Sequence, residues 1–235
     1  MLETLIVHKV SLVSQPFCKT HMQDQDTTTE STLKLRVLSH ATELFFRLGV
    51  RNATMDGIAQ ELGISKKTIY QLFKSKADIV KEVSLAFCKQ NEAETLEVAR
   101  SSENAIDALF KVMQHFTQTA KQRSPNLIFE IKKYYPESWQ VFQKHENRFV
   151  VQKVKDNLHR GIKEGLYRPE INIDIVSRMH ISQMDAGLDE KLFPAKRFPF
   201  PSVQIQMMEL YMRGIATQKG IDLINAYFEK LRGES

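Results

Sequence analysis

Cysteine is nearly missing from this chain: there are two in 235 residues, Cys18 and Cys88. They form no motif, which excludes a disulfide framework and a cysteine-rich zinc module and fits a reducing cytoplasm. Glycine (nine) and proline (seven) are also sparse, and no glycine-rich phosphate loop or GxSxG elbow occurs. The seven histidines (8, 21, 40, 115, 145, 159 and 180) are scattered. His145-Glu146-Asn147-Arg148-Phe149 lacks the second histidine of a zinc-protease helix. Neither an enzyme, a metal site nor a cofactor is implied. No long apolar run is present. The apolar residues Leu2, Leu5, Ile6, Val7, Val10, Leu12 and Val13 are interrupted by His8 and Lys9, with no basic segment before them and no small-residue cleavage site after. A membrane span is not expected.

What is present is helical periodicity. Length leaves room for two domains, and β-branched alternating runs are few, so the expected fold is all-α. The division reads as a flexible N-terminal extension over 1–31, a small helical domain over 32–80 and a larger helical domain over 81–235. Met22 lies close to where a minimal protein of this kind would begin, so a start there would remove residues 1–21. The polar run from Gln23 to Thr32 reads as a flexible arm.

The most informative stretch is Ala53 to Phe73, two short helices joined at a glycine. Ala59 and Gly63 stand four apart, the first small enough for close helix approach and the second suited to the positive φ that ends a helix. Ile58, Leu62, Ile64, Ile69, Leu72 and Phe73 provide a shared small core. Thr54 and Ser65 stand where N-caps are needed, and Ser75 with Asp78 has the spacing of a capping box. The second helix opens Ser65-Lys66-Lys67-Thr68, which sets two cations and two hydroxyls on the turn that helix-turn-helix motifs insert into the major groove. A plain three-helix bundle with a solvated lysine face would not need the Ala59–Gly63 spacing. Before the motif, Val37, Leu38, Ala41, Leu44, Phe45 and Leu48 predict an amphipathic lid helix over 33–48, closed by Gly49.

Val37-Leu38, Ala41, Leu44-Phe45, Gly49, Thr54, Ile58-Ala59, Leu62-Gly63-Ile64-Ser65, Thr68-Ile69-Tyr70, Phe73 and Lys76 together resemble the N-terminal domain of the TetR family of transcriptional regulators. The resemblance covers roughly residues 33 to 80. It implies phosphate contacts for Thr54, Tyr70 and Lys76, and places Lys66, Lys67 and Thr68 toward base edges. Many members carry glycine where Lys67 stands, so Lys67 could reach a guanine edge or a phosphate. Ser65 and Lys74 complete the candidate DNA-binding set. Residues 32 to 80 hold eight Lys or Arg against four Asp or Glu, a net of +4 in a chain of +5. Such a patch supplies the salt-dependent, sequence-independent part of DNA affinity.

Behind this domain the periodicity predicts helices over about 76–100, 103–122, from Ser124-Pro125, from Pro136, 137–164, 173–188, 202–216 and 219–232, with an irregular loop from Phe193 to Pro201. The resemblance implies a small-molecule pocket among the middle helices, for which Phe110, Met113, Phe116, Phe129, Tyr134, Trp139, Phe142, Met179 and Met184 are candidates by size and position. Large apolar residues at helical spacing also fit plain core. Tyr211-Met212-Arg213-Gly214-Ile215-Ala216-Thr217-Gln218-Lys219-Gly220 is similar to the junction through which TetR-like proteins dimerise. Met207, Met208, Leu210, Ile215, Leu223, Ile224 and Tyr227 are the corresponding interface candidates, with intrachain core as the alternative. The functional expectation is a cytoplasmic homodimeric regulator, a repressor relieved by an unknown small-molecule effector, binding a palindromic double-stranded DNA operator and no membrane. The alternatives are a ligand-independent DNA-binding protein acting through protein partners, and a small-molecule-binding protein without DNA activity.

Overall fold

In the computed structural model, residues 28–121, 127–194 and 196–233 are described. The N-terminal extension and the Ser124-Pro125 helix start therefore lie outside the described residues, except for the last part of the extension. There, the lid helix begins earlier than its apolar stripe requires.

The first elements are α1 (Thr28–Leu48), α2 (Met55–Glu61), α3 (Lys66–Leu72) and α4 (Lys76–Ser101). They are followed by α5 (Ala105–Lys121), α6 (Leu127–Tyr134) and α7 (Pro136–His145). A π-helical turn, Glu146–Val150, leads into α8 (Val151–Lys163), then α9 (Ile173–Gly187), α10 (Phe200–Ile215) and α11 (Gln218–Gly233). The fold is all-α: among the described residues the β structure is one isolated antiparallel bridge, Tyr167 with Ala216.

The chain divides into two compact units, Met1–Val83 and Ser84–Ser235, with α4 contributing residues to each. In the first unit, Val37, Ala41, Leu44 and Phe45 of α1 close over Ile58, Ala59, Ile69 and Phe73, with Ile79 and Val80 of α4 also buried. Leu48, read as part of the lid's apolar face, is 42% exposed. It sits on the final turn of α1, just past Leu44 and Phe45, which take the inward positions.

In the second unit the core is a cluster from α5, α8, α10, α11 and the Leu166-Tyr167 link, including Phe110, Leu158, Tyr167, Met212, Ile224 and Phe228. Close approach at Gly161 explains the turn after α8. A Cβ there would lie 2.0 Å from the Tyr167 ring, so only glycine lets that ring seat against the helix. Tyr167 is 1% exposed and donates through its hydroxyl to Asn157 Oδ1 at 3.1 Å.

The single long helix expected over 137–164 is interrupted by the π turn. Each such turn holds about one residue more than an α turn, which shifts the following apolar stripe by about 100°. Leu158 thereby belongs to the main core while Trp139 and Phe142 stay half-buried on the other side of the interruption.

Candidate nucleic-acid interface

The site begins with its caps. Thr54 has extended backbone geometry, and its hydroxyl oxygen accepts from the Gly57 amide at 3.0 Å, fixing the start of α2. Ser65 does the same for α3, accepting from the Thr68 amide at 3.0 Å while sharing a 2.7 Å hydrogen bond with the Thr68 hydroxyl. Two independent side-chain caps start two seven-residue helices that would be marginal alone. Between them Gly63 adopts φ of 66°, and the Ile64 amide donates back to the Ala59 carbonyl at 3.0 Å. This is a left-handed helix exit that a side chain would strain.

Ile69 is fully buried and Phe73 is 3% exposed, so the inward face of α3 is fixed by its apolar residues. The opposite face follows from helical spacing. Lys67 and Tyr70, three apart on α3, are exposed, Tyr70 by 50%, and Lys74, two residues past the end of the helix, is exposed as well. Gln71, one turn beyond Lys67 and also exposed, joins this stripe. Residue-type reading missed it because glutamine carries no charge; its i+4 spacing from Lys67 was the available signal.

The remaining candidates have partners within the unit. The Lys66 ammonium lies 2.5 Å from Asp56 Oδ2, and this hydrogen bond and the adjacent charge raise its pKa. The pair ties the first turn of α3 to the first turn of α2, so Lys66 is engaged within the unit although both lysines are exposed. Lys76 donates to the carbonyls of Val50 at 2.6 Å, Ala53 at 2.6 Å and Arg51 at 3.3 Å. An ammonium has three protons, so Lys76 fastens the α1–α2 connection to the start of α4 as its primary contact. That start is a capping box, with the Ser75 amide donating to Asp78 Oδ2 at 2.9 Å and the Asp78 amide to Ser75 Oγ at 3.3 Å. Further ties hold α1 to α2: Glu61 receives His40 at 2.8 Å and pairs with Arg47 at 3.5 Å. The result is a rigid three-helix platform whose presented face is cationic and aromatic.

Residues 37–83 match the family model described as bacterial regulatory proteins, tetR family. Residues 37–83 are a DNA-binding domain of the tetR type. Similar proteins include the HTH-type transcriptional repressor KstR2 of Mycobacterium tuberculosis, 28% identical over 145 residues that cover 60% of this chain and 72% of the relative. Among solved structures, a putative transcriptional regulator from Saccharomonospora viridis in complex with choline has TM-score 0.63 and 19% identity, covering 80% of this chain and all of that one. The transcriptional regulator FadR from Bacillus subtilis, in complex with stearoyl-CoA, has TM-score 0.58 and 18% identity, covering 77% of this chain and 98% of its own. Those structural likenesses establish a shared fold. The helix-turn-helix described above lies within the segment that matches the DNA-binding domain of tetR-type transcriptional regulators, which supports DNA binding.

The residues expected to line an effector pocket do not gather in one place. Phe110 and Met113 are each 3% exposed and lie in the main core, Phe110 stacking on Tyr227 and meeting Phe228 edge-on. Phe129, Tyr134 and Met179 are on the outside, 50%, 44% and 65% exposed, so they correct the expectation of an interior position. The Lys133 ammonium lies over the rings of both Phe129 and Tyr134, which accounts for aromatic residues tolerated at the surface of α6. Trp139, Phe142 and Met184 are half-buried, and Trp139 and Phe142 contact each other at 6.2 Å between centroids. The side chain of Phe116 is outside the described residues.

The interface set is corrected in a similar way. Met208, Ile215 and Ile224 are 7%, 4% and 0% exposed and belong to the intrachain core, because α10 packs this face on α5 and α11. Tyr227 is also turned inward, its hydroxyl donating to Asp107 at 3.0 Å. Met207 and Leu223 are half-buried, whereas Leu210 is 68% exposed. None of the described helices is long and apolar enough to cross a membrane, and no group of three or more potential metal ligands occurs among the described residues.

Proposed function

We propose that this chain is a cytoplasmic repressor that binds a palindromic operator as a homodimer and is released by a small-molecule effector. In this reading residues 32–80 are the DNA-binding domain and 81–235 the regulatory and dimerisation domain. The observation that carries it is the exposed pair Lys67 and Tyr70 on a helix whose other face is locked by Ile69 and its capping residue Phe73, with Lys74 exposed just past the helix end. Lys67 is the candidate for a base edge. Tyr70, Lys74 and Thr54 are candidates for phosphate contact, where the Thr54 hydroxyl still has its proton to donate while accepting from Gly57. Ser65 and Thr68 act as a mutually bonded pair that opens the helix, and Lys66 and Lys76 position the platform that a phosphate would approach.

Dimerisation is supported by exposed apolar residues on α9 and α10. Ile175 and Met179, one turn apart, are 56% and 65% exposed, and Leu210 is 68% exposed. Burying such residues against a second copy gives each about 1.5 to 3 kcal/mol of apolar transfer energy before association costs. Pairing two recognition helices on two half-sites multiplies specificity. Effector response is supported by the choline and stearoyl-CoA complexes of proteins with this fold. Because α4 contributes to both units, a displacement of its C-terminal part is the simplest route by which an effector alters operator affinity.

Selection of sites from a random duplex pool, followed by anisotropy titration and sizing of the complex, tests the reading. Enrichment of a two-fold symmetric site bound by an even number of chains is expected. Failure to enrich any sequence, or binding as a monomer, would contradict it.

A further inference from the structure

Buried polar groups in the second unit are paired as a rule. Asp107 accepts from Lys111, from the Glu103 amide and from the Tyr227 hydroxyl; Ser177 donates to the Asp174 carbonyl; Asn157 donates to the Ala105 carbonyl and accepts from Tyr167. Among the described residues three side chains depart from this rule: His145, whose Nε2 lies 3.7 Å from Glu92 Oε1, and two that meet each other in the core. His180 of α9 is 5% exposed and its Nδ1 has no hydrogen-bond partner; Tyr211 of α10 is 9% exposed and its hydroxyl has none either. The two rings stack with centroids 3.9 Å apart and 24° between planes, so both unpaired groups belong to one locus. Tyr211 is part of the main core cluster with Leu158, Met208 and Met212.

A core needing only volume here would be served by phenylalanine at both positions, without the cost of desolvated polar atoms. Burial pushes the His180 imidazole down to about 4 and raises the Tyr211 phenol, so both groups are neutral at physiological pH. We infer that His180 Nδ1 and Tyr211 Oη form a two-point polar subsite for the uncharged oxygen of a largely apolar effector, a ketone or an alcohol. The phenol donates to a carbonyl or hydroxyl oxygen, and the neutral imidazole nitrogen accepts from a hydroxyl or donates as its tautomer dictates. A carboxylate or ammonium would lose its hydration with neither side chain offering a counter-charge, whereas a neutral oxygen exchanges one hydrogen bond for another. The inference rests on the reading that this unit takes an effector, and adds the chemical class and the residues that select it.

Calorimetric titration of the full-length protein with 2-octanone, octanoate and octylammonium tests the subsite, with Tyr211→Phe and His180→Phe as variants that keep the stacked rings. Saturable binding of 2-octanone is expected, with both charged probes at least about tenfold weaker and each variant weaker for the ketone by roughly tenfold. The unliganded variants should unfold at the wild-type temperature or above it, since each removes an unpaired buried atom. No saturable ketone binding, equal affinity in both variants, or octanoate bound as tightly as the ketone would overturn the subsite. So would a lower unfolding temperature of Tyr211→Phe without ketone binding, which would assign the hydroxyl to a buried water. Operator affinity is measured separately. Ketone binding that leaves operator affinity unchanged supports the subsite and overturns the effector reading instead.

Discussion

The two units solve the same problem, burying one face of each helix, with different means. In the first, short helices are fixed by local polar devices: Thr54 and Ser65 cap them, Gly63 turns the chain, and Lys76 gathers three carbonyls. In the second, α5, α10 and α11 are sixteen or seventeen residues long and packing between them supplies the order. The comparison teaches where tolerance lies. A locally fastened platform leaves its outer face exposed, while a packed bundle commits its interior to contacts between helices, with the His180–Tyr211 pair as the polar exception.

The sharpest way to break that comparison is to crowd the second unit. Gly161→Ala places a methyl group 2.0 Å from the Tyr167 ring, and overpacking of this kind should lower stability by about 3 kcal/mol in a denaturant titration. A change below about 0.5 kcal/mol would mean the ring is free to move aside.

A comparable effect should appear as pH dependence. His180 has its folded-state pKa depressed by burial to about 4, so the unfolded chain binds the proton more readily. Its contribution is intact above roughly pH 6.5 and is lost as pH falls toward 4, by about 3 kcal/mol if burial is maintained. His180→Phe should flatten this limb of the stability curve relative to wild type. A limb of unchanged slope in the variant would assign the loss to other groups.

In the first unit, Lys76→Met should cost about 2 kcal/mol by leaving the Val50 and Ala53 carbonyls short of a donor, and it should unfold this unit before the other. Loss of operator affinity with no change in hydrogen-exchange protection of residues 50–53 would instead make Lys76 a phosphate ligand alone. The smallest expected effect is at a cap: Ser65→Ala should destabilise by about 1 kcal/mol, seen as a lower unfolding midpoint.

These contrasts also explain what was legible in the sequence. Thr54, Ser65, Gly63 and the Ser75–Asp78 box act over three or four residues, so their spacing alone reveals their roles. Ile58, Ile69 and Phe73 were legible as core for the same reason. The carbonyl contacts of Lys76 could not be seen in the sequence because its partners lie 23 to 26 residues away. The second unit hid more. Met208, Ile215 and Ile224 show the same apolar periodicity whether they face α5 or another subunit, and only the packing distinguishes these. Met179 and Phe129 were read as interior by size, yet both are exposed, and the π turn that rephases α8 against α7 has no marker such as proline within it. His180 and Tyr211 were unremarkable as residues; their stacking across α9 and α10 is what gives them meaning.

The central claim is that the outward stripe of α3 binds DNA while its inward face only holds it in place. A salt titration of operator affinity for wild type and for Lys67→Ala with Tyr70→Ala measures this most directly, because both side chains are exposed and their loss should leave the unfolding midpoint unchanged. The double variant should bind roughly a hundredfold more weakly, and its log–log salt slope should be shallower by about 1 if Lys67 meets a phosphate, or unchanged with relaxed sequence preference if it meets a base. Wild-type affinity and wild-type sequence preference in the folded double variant would contradict the claim.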